Sequence, residues 1–302
     1  MQLTLISLYY YVCERYNSTL CWQVQRFSPN CNCGIITDEE IITIYLFCVA
    51  FQEKQKVKSM HRYILEHWID WFPTLPSYET FVSRLNRISS VFPSLVACLI
   101  DDLDQTETAI PIVLTDSMPI ITCSHKRKAK VALEIANKGY CSTKGLHYFG
   151  VKLHLVAKRR ENTLPLPEYI GITQASTHDL TALRPILLNM QDRTGGVPHI
   201  IADKAYIDEK LNQKLKTENN SQIITPIKDK KGMPKALKQF DQAFNDLFST
   251  TVSSIRQPVE SFFNWLQQVT NIQIASKVRS TNGLITHVYG KIAAALCIWM
   301  CF

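Results

Sequence analysis

The sequence predicts a mixed α/β chain in two parts: a helical domain over residues 1–100 and a mixed sheet flanked by helices over residues 108–302. Three observations carry this. Apolar residues of the first part recur at helical spacing behind hydroxyl caps. From residue 110 onward, short apolar runs with strand-like alternation appear, two of them closed by an aspartate. Beyond residue 250 the pattern returns to amphipathic helix.

In the first part, Thr37-Asp38-Glu39-Glu40 stands ahead of an apolar run as a capping box, with a hydroxyl at the N-cap and Glu three residues on. Pro76-Ser77 opens a further helix, with Phe81, Val82, Leu85 and Ile88 at helical spacing. Short helices joined by Pro-containing turns suit a helix-turn-helix DNA module or a packing and dimer domain. The acidic stretch 101–107 reads as a linker.

Ile110–Thr115 is a strand ending at Asp116, and Tyr148–Ala157 alternates, with Phe149, Val151, Leu153 and Leu155 on one face and Lys152 and His154 on the other. Tyr169–Gln174 is a third strand, and Leu180–Met190 a helix capped by Ser176 or Thr177. His199–Ala202 is a strand ending at Asp203, residues 207–217 a helix, and Gln222–Ile227 a strand. A Lys-rich loop, Lys228–Lys238, precedes helices at 255–269 and 283–299. In the first of these, Pro258 belongs in the opening turn, because deeper it removes a backbone hydrogen bond. Three consecutive strands fit an antiparallel meander, and the later strand–helix alternation adds parallel strands to the same sheet. That order is the one a ribonuclease-H-like domain shows.

Composition narrows the function. A chain of 302 residues with 46% hydrophobic and 20% charged residues is neither disordered nor fibrous. The net charge of +7 is confined to residues 101–302, since residues 1–100 hold 8 basic and 8 acidic side chains. Lys126 to Arg160 holds ten Lys and Arg against the single acid Glu134, which fits a polyanionic partner. The ten cysteines have neither disulfide-framework nor zinc-site spacing and read as reduced thiols of a cytoplasmic protein. The N-terminal run lacks a leader's basic start and cleavage site, and Ile41–Phe51 and Ile292–Phe302 are too short to span a bilayer, so no membrane association is expected.

Asp116 and Asp203, each closing an apolar strand, fall at a sheet rim, where ligands of open α/β sheets collect. A third acid, Glu260, lies on a helix whose apolar face is Ile255, Val259, Phe262, Phe263 and Leu266. Glu260 flanks that face, four residues after Arg256, and could equally be a solubilising Glu with an Arg partner. Three gathered carboxylates repel unless cations neutralise them, and oxygen-only donors suit Mg²⁺ or Mn²⁺. Two such ions serve phosphodiester displacement, which matches the basic block.

At these residues the chain resembles insertion-sequence transposases of the DDE class, most closely the bacterial insertion-sequence 982 family. The stretches that carry the resemblance are DSMPI at 116–120, KGYCSTKGLHYFGVKLHL at 138–155, STHD at 176–179, ADKAYID at 202–208 and RQPVESFFNWL at 256–266. The resemblance implies a ribonuclease-H-like catalytic domain with Asp116, Asp203 and Glu260 holding two Mg²⁺ or Mn²⁺ ions. It implies a DNA transposase of the cytoplasm, at the nucleoid, acting on terminal inverted repeats and target DNA as a homodimer or larger assembly. Relatives often carry Tyr-x-x-Arg-x-x-x-Glu-x-x-x-x-x-x-Lys; here Arg256 and Glu260 match, while Ser253 and Gln267 replace the Tyr and the Lys. Lys277 or Arg279 is the candidate to compensate for that Lys. Lys126, Arg127, Lys128, Lys152, Lys204 and Arg256 are the expected phosphate contacts. Asp179 reads first as a helix cap. The alternatives are a purely hydrolytic nuclease and a catalytically silent, transposase-derived DNA-binding protein.

Overall fold

The computed structural model describes residues 1–24, 36–104, 112–124, 126, 130–141, 145–189, 199–219, 221–227 and 235–300. They divide into two compact units, one of residues 1–105, 121–136 and 265–302, the other of residues 106–120 and 137–264.

The first unit is helical. It holds α1 (Gln2–Ser18), α2 (Asp38–Gln52), α3 (Val57–His67), α4 (Tyr78–Arg87) and α5 (Val91–Asp104). Thr37 and Glu40 form the reciprocal capping box at the start of α2, worth about 1 kcal/mol. Every residue from Ile41 to Val49 is buried, as befits a helix apolar on all sides. The buried Asp38 is held by the Tyr16 hydroxyl at 2.7 Å and by the Arg84 guanidinium. Residues 101–104, expected as linker, complete α5; the rest of that stretch lies outside the described residues.

The C-terminal segment opens with α9 (Thr281–Ile285), passes through a π-helical turn (Thr286–Gly290) and ends in α10 (Lys291–Trp299), which packs on α2 and α5. The sequence pattern reads as one helix over 283–299, yet the turn widens where Tyr45 intrudes. Its hydroxyl donates to Thr286 O at 3.3 Å, and a Cβ on Gly290 would stand 2.6 Å from its ring.

The second unit contains the sheet: β1 (Ile112–Ser124), β2 (Asn137–Cys141), β3 (Leu146–Lys158), β4 (Leu166–Gln174), β5 (His199–Ile201) and β6 (Ile223–Ile224). Its spatial order is β2-β3-β1-β5-β6, with β4 also paired to β3. Strands β2 and β4 run antiparallel to successive stretches of β3. Arg159 N donates to Ile112 O, and the Thr115 hydroxyl donates to Leu155 O, so β1 and β3 are antiparallel too. Strand β5 is parallel to β1 and β6 to β5. Four strands in antiparallel pairing, extended by two parallel ones, make a ribonuclease-H-like sheet. Helix α6 (Asp179–Asn189) and α7 (Glu209–Asn219) cover one face through Leu183, Leu187, Leu211 and Leu215, which join Val113, Val156 and Ile200 in one cluster.

Three expectations shift. Strand β1 does not stop at Asp116 but continues through Pro119 to Ser124. Its pairing to β5 ends at Leu114, so the missing N–H of Pro119 lies outside that ladder. Strand β2, with a glycine and two polar residues, has no apolar signature; Gly139 lets it approach Ala175, whose carbonyl oxygen would stand 2.5 Å from an added Cβ. Helix α8 runs continuously over Lys235–Thr270, which puts Pro258 deep inside it. The apolar face reaches back to the buried Val252, and that burial offsets the one hydrogen bond Pro258 cannot donate. Of the expected Lys228–Lys238 loop, residues 228–234 lie outside the described residues and the rest are helix.

His287 gives the helical unit an acid limit. Its Nε2 meets Ile272 O at 2.8 Å, while burial, with Lys291 nearby, pushes the imidazole down from 6.5 to about 3. Folded His287 therefore stays neutral while the unfolded chain takes up a proton. Its contribution is complete above the unfolded value and is lost as pH falls from about 6.5 toward 3, at about 1.4 kcal/mol per pH unit. Denaturant titrations at pH 7 and pH 5 will show this loss, and His287→Gln will flatten the pH dependence.

Candidate active site

Parallel pairing of β1 with β5 puts Ile112 beside His199 and Leu114 beside Ile201, an offset of 87 residues. Asp116 and Asp203 are separated by the same 87 residues, each two positions beyond the last pair. The two acids thus come to the same edge of adjacent strands. Asp203 caps the short turn Lys204–Tyr206, accepting the Lys204 N–H at 2.7 Å, and Lys204 is exposed beside it.

Helix α8 brings the third acid. Val259, Phe262 and Phe263 are buried, leaving Arg256 and Glu260 together on a flank, one turn apart. The Arg256 guanidinium joins two acids: Nη1 donates to Asp116 Oδ2 at 2.6 Å and Nη2 to Glu260 Oε1 at 2.5 Å. Its side chain is 15% exposed and its Nε is buried without a hydrogen-bond partner. Glu260 remains about half exposed.

Asp116 is largely shut off from water despite its contact with Arg256. Burial raises its carboxyl from the ordinary 3.8 to about 6, against the opposing pull of Arg256 and of the Ser117 N–H; Asp203 and Asp179 add to the rise. The described residues hold no group of three His, Cys, Asp or Glu side chains close enough to share a metal. Asp116 and Glu260 are joined through Arg256, while Asp203 reaches Asp116 through charge. A guanidinium thus occupies the position of a cation between oxygen donors.

Sequence reasoning missed the role of Asp179. It opens α6, as a cap-like acid would, but its Oδ1 accepts the Ser117 hydroxyl at 2.9 Å and the Lys152 ammonium at 3.0 Å. Lys152 also donates to Thr177 O at 2.9 Å. His154 Nδ1 lies 3.9 Å from Asp179, and its Nε2 meets the Thr173 hydroxyl at 2.8 Å. Burial keeps His154 neutral, lowering it from 6.5 to about 4 against the pull of Asp179. Tyr206 is buried beside Thr115, and burial holds its phenol well above its ordinary range. The sequence signal for Asp179 was the STHD stretch; its partners on β1 and β3 lie too far along the chain for spacing to reveal them.

The remaining basic residues divide. Lys126 is exposed; Arg127 and Lys128 lie outside the described residues. Gln267, in the Lys position of the signature, receives the Gln273 N–H at 2.9 Å and donates to Asn271 at 2.8 Å, closing the end of α8. Lys277 and Arg279 are exposed, with Arg279 donating to Ser276 O and Val278 O. No helix among the described residues is long and apolar enough to cross a membrane.

Residues 107–298 match the family model of the transposase DDE domain. No curated protein matches the chain. Among solved structures, the Mos1 mariner paired end complex with Mn aligns at 11% identity over 83% of this chain and 84% of that one. Its TM-score is 0.24.

Arg256→Gln removes the cation that lowers the Asp116 carboxyl. In that variant Asp116 will titrate above the native value of about 6, by roughly one to two units. Carboxyl ¹³C NMR reads this directly, and an unchanged or lower midpoint contradicts the assigned charge balance.

Proposed function

The chain belongs to the family of transposase DDE domains, and on that premise we propose that it moves DNA by two successive phosphoryl transfers, as a transposase of the insertion-sequence 982 type. In the first, water attacks the phosphodiester at an element's end, the bond to the 3′ oxygen breaks and a 3′-OH is released. In the second, that 3′-OH attacks a target phosphodiester and a target oxygen leaves. The observation that carries the reading is the shared edge of Asp116 and Asp203, created by the β1–β5 register, with Glu260 tied to Asp116 through Arg256.

The residues suit a hard divalent ion by chemistry. Their donors are all carboxylate oxygens, and Asp116 sits where burial and neighbouring acids disfavour its charge, a penalty a cation relieves. Asp116, Asp203 and Glu260 would hold two Mg²⁺ or Mn²⁺ ions, which when bound supply charge stabilisation to the attacking and leaving oxygens. Arg256, released from its carboxylates, is then available for a DNA phosphate. Lys204 stands next to Asp203 for the same purpose. Lys126, Arg127 and Lys128 extend the phosphate contacts, which position DNA without reading its sequence. Lys152, expected as a phosphate contact, is committed to Asp179 and Thr177 O and orders the site instead.

In this reading residues 108–302 are catalytic, and the helical residues 1–100 contribute DNA contacts. The partners are double-stranded DNA with terminal inverted repeats, target DNA and further copies of the chain. The protein works in the bacterial cytoplasm, at the nucleoid.

The test uses the full chain with Mg²⁺, DNA carrying the element's ends and a target plasmid. Asp116→Asn, Asp203→Asn and Glu260→Gln will each lower end cleavage and joining by roughly 100-fold or more, the several kcal/mol that charge stabilisation supplies. Gel-shift binding to the ends will persist. Cleavage without joining in the wild type assigns a hydrolytic nuclease instead, and undiminished joining by Asp203→Asn removes the triad.

A further inference from the structure

Asp116 has two carboxylate oxygens, and two different groups hold them. Oδ2 takes Arg256 Nη1, while Oδ1 takes the backbone N–H of Ser117 at 2.8 Å. The Ser117 hydroxyl is itself fixed, donating to Asp179 Oδ1 at 2.9 Å. A short chain of hydrogen bonds thus runs from Asp179 through Ser117 to Asp116. It joins the first residue of α6 to β1, and β1 carries the first acid of the site.

Asp179 is anchored on its other side. Lys152 on β3 donates to Asp179 at 3.0 Å and to Thr177 O at 2.9 Å, and both partners of this ion pair are less than one-fifth exposed. His154, also on β3, lies 3.9 Å away and bonds to Thr173 on β4. Two strands, β1 and β3, therefore converge on the single carboxylate at the start of α6. A helix-capping acid needs none of these partners, since a cap bonds to backbone N–H groups of its own first turn. The first-turn Leu180 N–H is taken instead by His178 Nδ1 at 3.3 Å.

We infer that Asp179 is a positioning residue for the metal-binding carboxylate of Asp116, acting through Ser117 and held in place by Lys152. It touches neither DNA nor the reacting phosphate. It fixes the Ser117 hydroxyl, and so the Ser117 N–H that orients Asp116 Oδ1. Groups of this kind behind a metal ligand typically change metal affinity by roughly 10–100-fold. The inference rests on the reading of Asp116 as a metal ligand, and the experiment separates the two.

The experiment is Mn²⁺ binding to the metal-free full chain, measured by titration calorimetry, with a melting curve for each variant. Ser117→Ala breaks the chain of bonds but leaves the Asp179–Lys152 pair intact. It should weaken Mn²⁺ binding roughly 10-fold or more with little change in melting temperature, and Ser117→Thr, which keeps the hydroxyl, should restore binding. Asp179→Asn should weaken binding likewise. The double variant Ser117→Ala/Asp179→Asn should lose little beyond either single change, because both cut one path. If Asp179→Asn does not fold, the Ser117→Ala and Ser117→Thr pair decides alone. Wild-type affinity in Ser117→Ala overturns the inference while leaving the proposed function standing, and so do fully additive losses in the double variant. Wild-type affinity in Asp203→Asn, or a wild-type chain that takes up no Mn²⁺, overturns the metal reading and the inference with it.

Discussion

Parallel pairing of β1 with β5 is the contact on which the candidate site depends. Parallel neighbours cannot be joined by a tight turn, because the chain must return to the starting edge of the sheet before it can pair again. The chain leaving β1 first builds β3 and β4 on one side, then α6, and only then enters β5 on the other. The register reached after that detour is strict, since Val113, Leu114, Ile200 and Ile201 are buried and a one-residue slip would turn every side chain to the opposite face of the sheet. Asp116 and Asp203 inherit their adjacency from it. Ile112, Val113 and Leu114 against His199, Ile200 and Ile201 are therefore as much a part of the site as the acids themselves.

The second constraint is electrostatic. Asp116, Asp203 and Asp179 are close enough that each acidic neighbour raises the Asp116 carboxyl, and burial raises it further. A protein selected for stability alone would dilute such a cluster. Here it is partly offset from two sides, by Arg256 on Asp116 and Glu260 and by Lys152 on Asp179. The two cations differ in position. Both side chains are 15% exposed, but Lys152 pairs with Asp179 and Thr177 O, whereas Arg256 spans Asp116 and the half-exposed Glu260. An arginine suits that place because its planar fork spans two carboxylates at once.

Much of this was legible along the chain. The capping box at Thr37, the apolar run of α2, the alternation of β3 and the apolar runs ahead of the two aspartates are local signals, because helix caps and strand faces are set within a few residues. Strand β2 was not legible, since a five-residue strand with a glycine is held by pairing to β3 rather than by its own composition. The length of α8 was also hidden: Pro258 reads as a boundary by propensity, and only the packing of Val252 and Val259 on both sides of it reverses that reading.

The sequence by itself determined which residues could do chemistry. Asp116 and Asp203 each follow an apolar run, and Arg256 and Glu260 share a helix flank, places that hydrophobic periodicity marks without any fold. Only the tertiary structure decided how they are joined. Arg256 bridges Asp116 to Glu260 across 140 positions of chain, Ser117 reaches Asp179 across 62, and Lys152 turns inward to an acid rather than outward to solvent. Hydrogen bonds and ion pairs of this kind act over a few ångströms of space and carry no signature in sequence spacing, so they come into being only when strand register and helix packing bring their partners together.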